Sequence, residues 1–271
     1  MIDTVRPGDD EPAVAGGFTS TRFVLVEPSH PGNVGAAARA LKTMGFARLV
    51  VVRPKVPHVH EDPDARAMAS GADDVLSNTH IVDSLDDALS GVHWSIALSA
   101  RQREYGPPAL TPRAAAERAL PILAGGQQEI ALVFGNERVG LSNADVERCS
   151  AIVHIPANPA YSSLNLAQAV QVLAYELRMA LQAQAHALSD GSAPATGAAD
   201  SDGSPLAASE DVERMFVHLE NALVAIDFLD PANPKKLMPR LRRLFARTGL
   251  EREEVHILRG MAKHILLKAH R

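Results

Sequence analysis

The sequence of 271 residues has only one cysteine, Cys149, and aromatic residues make up only 4% of it. A single cysteine excludes an intramolecular disulfide and any metal site built from several cysteines. No run of 18 apolar residues occurs, so the sequence predicts no membrane-spanning helix and no membrane partner. The first residues also lack the basic-then-apolar pattern of a secretion signal, and we therefore expect a cytoplasmic protein.

Several catalytic and binding motifs are also missing. The sequence has no G-x-G-x-x-G fingerprint for a dinucleotide and no G-x-S-x-G turn for a serine hydrolase. His58, His60 and Asp62 could supply metal ligands, but they lie in a Pro-rich loop without a companion pair of ligands. We therefore predict that the protein has no metal site.

The charge is unevenly distributed along the chain. The net charge is −5, which by itself does not indicate a nucleic-acid-binding protein. One segment, residues 235–247, nevertheless contains six basic residues and no acidic one. This pattern could be a solvated helix face, but it favours contact with a phosphate backbone. The candidate RNA-binding residues are Lys235, Lys236, Arg240, Arg242, Arg243 and Arg247.

Short apolar, β-branched runs alternate with helical patterns through the first two thirds of the chain. This alternation predicts an α/β fold with a parallel sheet. We expect a disordered tail over residues 1–20, the α/β domain over 21–183, a flexible linker rich in Ala, Ser and Gly over 184–209, and a helical C-terminal extension over 210–271. Ser84 and Ser142 are expected to cap helices, and Asp145 would complete a capping box with Ser142.

Three polar segments follow predicted strands and suggest one composite site, because ligands bind at the carboxyl ends of parallel strands. Residues 33–39 place Gly35 at a helix start that could attract an anion, with Arg39 one turn later, although a tight turn and a surface arginine explain them equally well. Gly135 would allow close approach of a ligand, and Glu137 beside it could belong to a site or to a surface ion pair. In the third segment, Ser162 or Ser163 could simply cap the next helix, whereas the Asn165 amide needs a partner.

In this order, the three segments resemble the motifs of the SpoU (TrmH) family of RNA ribose 2′-O-methyltransferases. The family pattern N-x-G-x-x-x-R is met by Asn33, Gly35 and Arg39. Its second pattern, F-G-x-E-x-x-G-L, is met from Phe134 to Leu141, and its third, I-P…S-L-N-x-x-x-A, from Ile155 to Ala169. The fuller strings, including LRRLFART and HILRGM near the C-terminus, are similar to the TrmJ branch of the family.

The resemblance implies an S-adenosylmethionine-dependent enzyme with a trefoil-knotted α/β domain that acts as a homodimer on tRNA. It further implies methylation of the ribose 2′-OH of cytidine or uridine at position 32, at the start of the anticodon loop. Carried over by position, the catalytic residues are Arg39, Asn33, Glu137, Ser163 and Asn165. The cofactor-binding residues are Leu98, Ser99, Ala100, Gly135, Ile155, Ser162, Ser163 and Leu164.

An arginine stays protonated, so Arg39 is expected to act by stabilising charge and not as a general base. The proton of the 2′-OH could leave to a phosphate, to water or to Glu137. Three alternatives to this function remain open on the sequence. They are a catalytically silent tRNA-binding protein, a methyltransferase acting at another tRNA or rRNA site, and a Rossmann-type oxidoreductase, which the missing glycine fingerprint disfavours.

Overall fold

A seven-stranded parallel sheet forms the centre of the computed structural model, which describes residues 15–100, 106–124, 126–189 and 205–269. The sheet order is β3-β2-β1-β6-β4-β7-β5, and every paired strand is parallel to its neighbour. The strands are β1 (Thr21–Val26), β2 (Arg48–Val52), β3 (His80–Val82), β4 (Trp94–Leu98), β5 (Ala109–Leu110), β6 (Ile130–Phe134) and β7 (Ala151–Val153). The predicted α/β fold with a parallel sheet is therefore confirmed.

Helices cover both faces of this sheet and form the C-terminal part of the described chain. They are α1 (Ala15–Thr19), α2 (Pro31–Thr43), α3 (Pro63–Ala69), α4 (Asp73–Ser77), α5 (Leu85–Leu89), α6 (Pro112–Ala124), α7 (Asn143–Glu147), α8 (Leu166–Ser189), α9 (Ser209–Ala225), α10 (Leu237–Ala246) and α11 (Arg252–Ala269). The expected caps are confirmed: Ser84 caps α5, and Ser142 caps α7 in a capping box with Asp145.

Alternate residues of the central strands enter two separate cores. Phe23 and Leu25 of β1 pack with the buried sides of α2, α6 and α8, whereas Val24 and Val26 pack with α5 and α7. Because both faces are covered, these strands are apolar at successive positions and do not alternate with polar residues. In the described part of the chain, no helix is long and apolar enough to cross a membrane.

Gly35 has a different role from the one expected. Helix α2 begins at Pro31, so Gly35 is buried inside the helix and is not at its free amino end. A Cβ at this position would lie 1.9 Å from the Ala65 carbonyl oxygen in α3. Gly35 therefore allows the backbones of α2 and α3 to pack closely, and the expectation of an anion site at this glycine is wrong.

The helical extension, α9 to α11, has a small core of its own and docks on the sheet domain. Met215, Phe216 and Val255 are buried within that core. The Ser209 N–H donates to the Val92 carbonyl at 2.8 Å, and the Gly91 N–H donates to the Glu210 carboxylate at 3.1 Å. These contacts lie just before β4, so the extension docks at the amino ends of the strands.

The expected segment boundaries differ from the observed helices at two places. Helix α1 lies within residues 1–20, where a disordered tail was expected, and its Phe18 packs on the main core. Helix α8 continues to Ser189, so residues 184–189 are helical where a linker was expected. Alanine is frequent in this stretch and favours helix, which explains the extension. Residues 1–14 of the tail and 190–204 of the linker lie outside the described residues.

Candidate active site

A cavity of about 340 Å³ lies at the carboxyl ends of β4 and β6 and against the segment that follows β7. All eight residues predicted to bind the cofactor lie in its wall, although they come from three regions of the chain. The wall consists of Leu98, Ser99, Ala100, Phe134, Gly135, Asn136, Glu137, Arg138, Val139, Gly140, Leu141, Ile155, Ser162, Ser163, Leu164, Leu166 and Ala169. This wall combines apolar side chains with serines and loop backbone, a lining typical of small-molecule sites.

Position 135 requires a glycine because the backbone of the following loop packs against it. A Cβ at Gly135 would lie 2.3 Å from both the Gly140 carbonyl carbon and the Leu141 nitrogen. The loop folds back here because Asn136 and Gly140 form an isolated antiparallel bridge, and Gly140 has a φ of 70°. The expected close approach is therefore made by the protein backbone, which shapes one wall of the cavity.

A chain of hydrogen bonds joins the three polar segments beside this cavity. The Asn165 side-chain Nδ2 donates to Asn33 Oδ1 at 2.9 Å, and Asn33 Nδ2 donates to Glu137 Oε1 at 2.8 Å. These residues lie 132 and 104 positions apart in the chain, and the parallel pairing of β1 with β6 brings two of their loops together. The structure thus places three of the five predicted catalytic residues in one network.

The Glu137 carboxylate accepts hydrogen bonds at both oxygens. Ser29 donates to Oε2 twice, from its backbone N–H at 2.9 Å and its hydroxyl at 2.8 Å, and the His30 N–H donates to Oε1 at 3.3 Å. Partial burial raises the pKa of Glu137, but the hydrogen bonds from Asn33 and Ser29 outweigh burial, so the pKa lies below its ordinary value of 4.5. The carboxylate is therefore ionised and fixed in place.

The amino end of α8 is capped by Asn165. Asn165 Oδ1 accepts from the Ala167 N–H at 2.9 Å and the Gln168 N–H at 3.4 Å. The side-chain oxygen of Asn165 thus accepts from the free N–H groups at the helix end, and its side-chain nitrogen donates to Asn33. This leaves Ser162 and Ser163, the residues expected as possible caps, in the cavity wall.

Arg39 lies on α2 outside the cavity wall and is exposed to solvent. Within the described residues its guanidinium makes no ion pair or hydrogen bond. It lies six residues, about 1.7 turns, beyond Asn33 on the same helix. An exposed, permanently charged group on the helix that carries Asn33 is available to an incoming anionic substrate.

The six predicted RNA-binding residues do not form a uniform set. Four of them are exposed: Lys235, Lys236, Arg240 and Arg247. Arg242 is half-buried and donates to both oxygens of Glu213 at 2.5 and 2.8 Å, and its guanidinium stacks 4.3 Å from the Phe216 ring centroid. Glu213 also pairs with Arg148. Arg242 therefore attaches α10 to α9 and, through Glu213, to the sheet domain. The sixth residue, Arg243, is half-buried as well.

No group of three or more His, Cys, Asp or Glu side chains is placed to hold a metal ion within the described ranges. His58 and His60 lie near each other, with ring centroids 6.5 Å apart. Burial raises the pKa of the Cys149 thiol to about 12, so this cysteine is an unreactive core residue.

Ser29 is the site residue that sequence reasoning missed. It belongs to the turn-rich segment between β1 and α2, and nothing in its own pattern distinguishes it from an ordinary loop serine. The available signal is its position at the carboxyl end of β1, next to the strand that precedes Glu137.

Comparisons with known proteins match both the sheet domain and the extension. Residues 20–175 match the SpoU rRNA Methylase family, and residues 210–271 match the C-terminal domain of the tRNA methyltransferase TrmJ. The chain is 48% identical to the tRNA (cytidine/uridine-2′-O-)-methyltransferase TrmJ of Klebsiella pneumoniae subsp. pneumoniae, over 90% of this chain and 95% of the relative.

Two further relatives cover most of the chain. The tRNA (cytidine/uridine/adenosine-2′-O-)-methyltransferase TrmJ of Pseudomonas aeruginosa is 46% identical over 89% of this chain and 91% of its own length. The crystal structure of TrmJ from Z. mobilis ZM4 superposes with a TM-score of 0.73 at 30% identity, covering 90% of this chain and 98% of that chain. Since these matches span both the sheet domain and the extension, the chain belongs to the SpoU methylase family, in its TrmJ branch.

Proposed function

We propose that the protein uses S-adenosylmethionine to methylate the ribose 2′-OH of cytidine or uridine at position 32 of tRNA. One observation carries the proposal: the cavity predicted for the cofactor lies directly beside the network of Asn165, Asn33 and Glu137. Its TrmJ relatives, which cover about nine tenths of the chain, are tRNA 2′-O-methyltransferases. Position 32 itself rests on the resemblance of the motifs.

The residues of the cavity fit the proposed cofactor. Leu98, Ile155 and Leu164 offer apolar surface to a planar base, and Ser162 and Ser163 offer polar groups in the same wall. When bound there, S-adenosylmethionine would supply an already activated, positively charged methyl donor. The protein itself must therefore position the ribose and stabilise the developing oxyanion.

We assign to Arg39 the role of stabilising the negative charge of the oxyanion or of the neighbouring phosphate. It is permanently protonated, exposed and on the same helix as Asn33, which suits electrostatic stabilisation and excludes proton abstraction. Glu137 is a poor proton acceptor because both oxygens already accept hydrogen bonds and its pKa is lowered. We therefore propose that a substrate phosphate or water accepts the 2′-OH proton. Glu137 has a positioning role, since it holds the Asn33 side chain in place.

Methyl transfer to defined tRNAs tests the proposal. The full chain is incubated with methyl-labelled S-adenosylmethionine and a tRNA carrying C, U, A or G at position 32, and the methylated nucleotide is mapped by mass spectrometry. The control is the same tRNA with a single 2′-deoxynucleotide at position 32. We expect label on the ribose of C32 and U32 and none on the deoxy control.

The results also separate the competing functions. Label elsewhere in the tRNA, or in rRNA supplied in a parallel reaction, contradicts position 32 and retains the reaction class. Binding of tRNA without transfer to any RNA indicates a catalytically silent binding protein. Binding of NAD in place of S-adenosylmethionine, measured by calorimetry, supports an oxidoreductase instead.

We further propose that the enzyme is a cytoplasmic homodimer. Two large apolar side chains one turn apart on α8, Tyr175 and Met179, are 48% and 46% exposed. Exposed apolar surface of this kind supports a protein–protein interface. Sedimentation equilibrium of the wild type should give twice the 28.9 kDa mass of the chain, and a Tyr175→Glu, Met179→Glu variant should sediment as a monomer.

A further inference from the structure

Two large apolar side chains at the rim of the cofactor cavity are exposed to solvent. Tyr161 is 79% exposed, the highest value among the large apolar side chains that the structure describes, and Val139 is 67% exposed. Val139 lines the cavity, and Tyr161 directly precedes Ser162, which lines it as well. A single exposed apolar residue is ordinary, but two at the mouth of one cavity favour a ligand surface. The proposed function leaves both residues without a role.

A tight turn holds the backbone of Tyr161 in place. The Tyr161 N–H donates to the Asn158 carbonyl at 2.9 Å, and Asn158 Oδ1 accepts from the Ala160 N–H at 3.0 Å. Pro159 follows Asn158, and Asn followed by Pro is a preferred start for such a turn because the proline ring fixes φ. Among the described residues, the Tyr161 ring contacts no other ring and its hydroxyl has no hydrogen-bond partner. The turn therefore presents an aromatic ring to solvent on a preorganised backbone, which lowers the entropic cost of binding.

The order of the sheet brings Tyr161 and Val139 to the cavity from two sides. The loop that carries Val139 follows β6 and the segment that carries Tyr161 follows β7, and β4 lies between these two strands. At about 4.8 Å between neighbouring strands, the two segments leave the sheet roughly 10 Å apart. Leu98 and Ser99, at and just beyond the end of β4, line the cavity between them. This arrangement leaves room for a planar group at the mouth of the cofactor cavity.

We propose that the Tyr161 ring stacks on the base of the nucleotide to be methylated, with Val139 on the other side of that base. The inference rests on the proposed function, which requires the target ribose to lie beside the cofactor cavity. Unstacked RNA bases are commonly held on aromatic side chains. The proposed substrates, cytidine and uridine, differ in their hydrogen-bonding groups, an amino donor in one and a carbonyl acceptor in the other, but share a flat pyrimidine ring. Stacking holds either base, because every base has a π face.

Removing the ring and the base in turn gives the sharpest test. On intact tRNA, Tyr161→Ala in the full chain should lower kcat/KM for methyl transfer by about tenfold or more. On tRNA whose target nucleotide lacks its base but keeps the ribose 2′-OH, wild type and Tyr161→Ala should react at equal rates, because the partner of the ring is gone. Labelled-methyl assays measure both, with the abasic ribose placed at the nucleotide that the wild type methylates. Equal rates on intact tRNA, or an unchanged ratio on the abasic tRNA, would overturn the proposal.

Graded variants separate stacking from a general apolar contact. Tyr161→Phe keeps the ring and should react like the wild type, whereas Tyr161→Leu keeps apolar volume without an aromatic face and should be nearly as slow as Tyr161→Ala. Val139→Ala should lose less than Tyr161→Ala, because it removes less contact area. Leu188→Ala is the matched control, since Leu188 is 66% exposed at the end of α8 that lies away from the cavity. A Tyr161→Leu variant as fast as the wild type would contradict stacking.

The remaining outcomes assign the ring elsewhere or separate this inference from the proposed function. Affinity for S-adenosylmethionine, measured by calorimetry, should be unchanged in Tyr161→Ala, and weaker binding would assign the ring to the cofactor. If removal of a neighbouring base, and not of the target base, abolishes the effect of Tyr161→Ala, the ring stacks on that neighbour and the target assignment is wrong. If the wild type methylates tRNA and Tyr161→Ala matches it, only this inference fails. If the wild type methylates no RNA, the proposed function fails, and this inference fails with it.

Discussion

Glu137 shows how far the chemistry of a single residue depends on partners distant in sequence. The sequence places it after a strand, where ligand sites form, but Asn33 and Ser29 are 104 and 108 positions away. Only the order of the sheet, with β1 beside β6, makes them neighbours. The residues of the site could therefore be predicted from local motifs, whereas the network that fixes them could not.

Replacing Glu137 with Gln tests this positioning role. The new amide nitrogen would face donors from Ser29 or Asn33, so a partly buried donor would lose its acceptor. We expect methyl transfer to fall by about tenfold or more and the melting temperature to drop, as measured by labelled-methyl assay and calorimetry. Ser84→Ala, which removes a hydroxyl–carboxylate contact at an unrelated helix cap, should lower stability without reducing the rate.

The pH dependence of stability provides a separate check on Glu137. Its folded pKa lies below the unfolded value of 4.5, so its contribution is complete above that value and is lost as pH falls through the folded pKa. The difference in unfolding free energy between wild type and Glu137→Gln should thus be constant above about pH 5.5 and shrink below pH 4.5. Denaturant unfolding at a series of pH values measures it, and a difference that grows on acidification would contradict the assignment.

Arg39→Ala separates chemistry from binding. If Arg39 stabilises charge only in the transition state, its loss should slow single-turnover methyl transfer by at least about 100-fold. Affinity for S-adenosylmethionine should stay unchanged, because Arg39 lies outside the cavity wall. Arg66→Ala, an exposed arginine on the adjacent helix α3, is the matched control and should react normally. Normal turnover by Arg39→Ala would assign the charge stabilisation to another group.

At the scale of helices and strands, local chemistry predicted most of what the structure shows. The strands from Ile130 to Phe134 and from Trp94 were found because buried parallel strands form short apolar runs. The capping box at Ser142 was predicted because its partners lie only three residues apart. Composition misled for residues 184–189, since Ala-rich sequence suits both a linker and a helix, and helix α8 continues through it.

The contact between α2 and α3 gives a prediction at this scale. Gly35→Ala would place a Cβ 1.9 Å from the Ala65 carbonyl oxygen, and backbone cannot move aside as a side chain can. We expect a loss of about 2 kcal/mol or more in unfolding free energy. Gly32→Ala in the same helix meets only the flexible Met68 side chain at 3.3 Å and should be nearly neutral. Urea denaturation of both variants measures the difference, and a Gly35→Ala variant as stable as the wild type would contradict the packing role.

At the scale of the whole molecule, the extension and the cofactor cavity lie at opposite ends of the same strands. The extension contacts Val92 before β4, whereas the cavity begins at Leu98 at the end of β4. Four strand steps separate Trp94 from Leu98, roughly 13 Å at about 3.3 Å per residue. A tRNA held by the extension must therefore reach past the sheet to bring its ribose to the cavity of the same chain. The proposed RNA contact and the proposed methyl transfer are thus assigned to different ends of the molecule.

The basic residues of α10 and its flanks differ in exposure. We therefore expect the exposed ones to contact RNA and the half-buried Arg242 to stabilise the extension, and one experiment can distinguish the two functions. Neutralising the four exposed cations, Lys235, Lys236, Arg240 and Arg247, should lower the salt slope of tRNA binding by about 3, at roughly 0.7–0.9 per phosphate. The melting temperature should change little, because interactions of solvent-exposed charges contribute little to stability.

Arg242→Ala should do the reverse, because Arg242 pairs with Glu213 and stacks on Phe216 inside the extension. Its loss should cost about 1–3 kcal/mol of stability and leave the salt slope unchanged. Calorimetry and filter binding on both proteins measure the two quantities. If Arg242→Ala flattens the salt slope while the fourfold variant does not, the exposed cations are surface charge and the tRNA backbone is held by the face of α10 that carries Arg242.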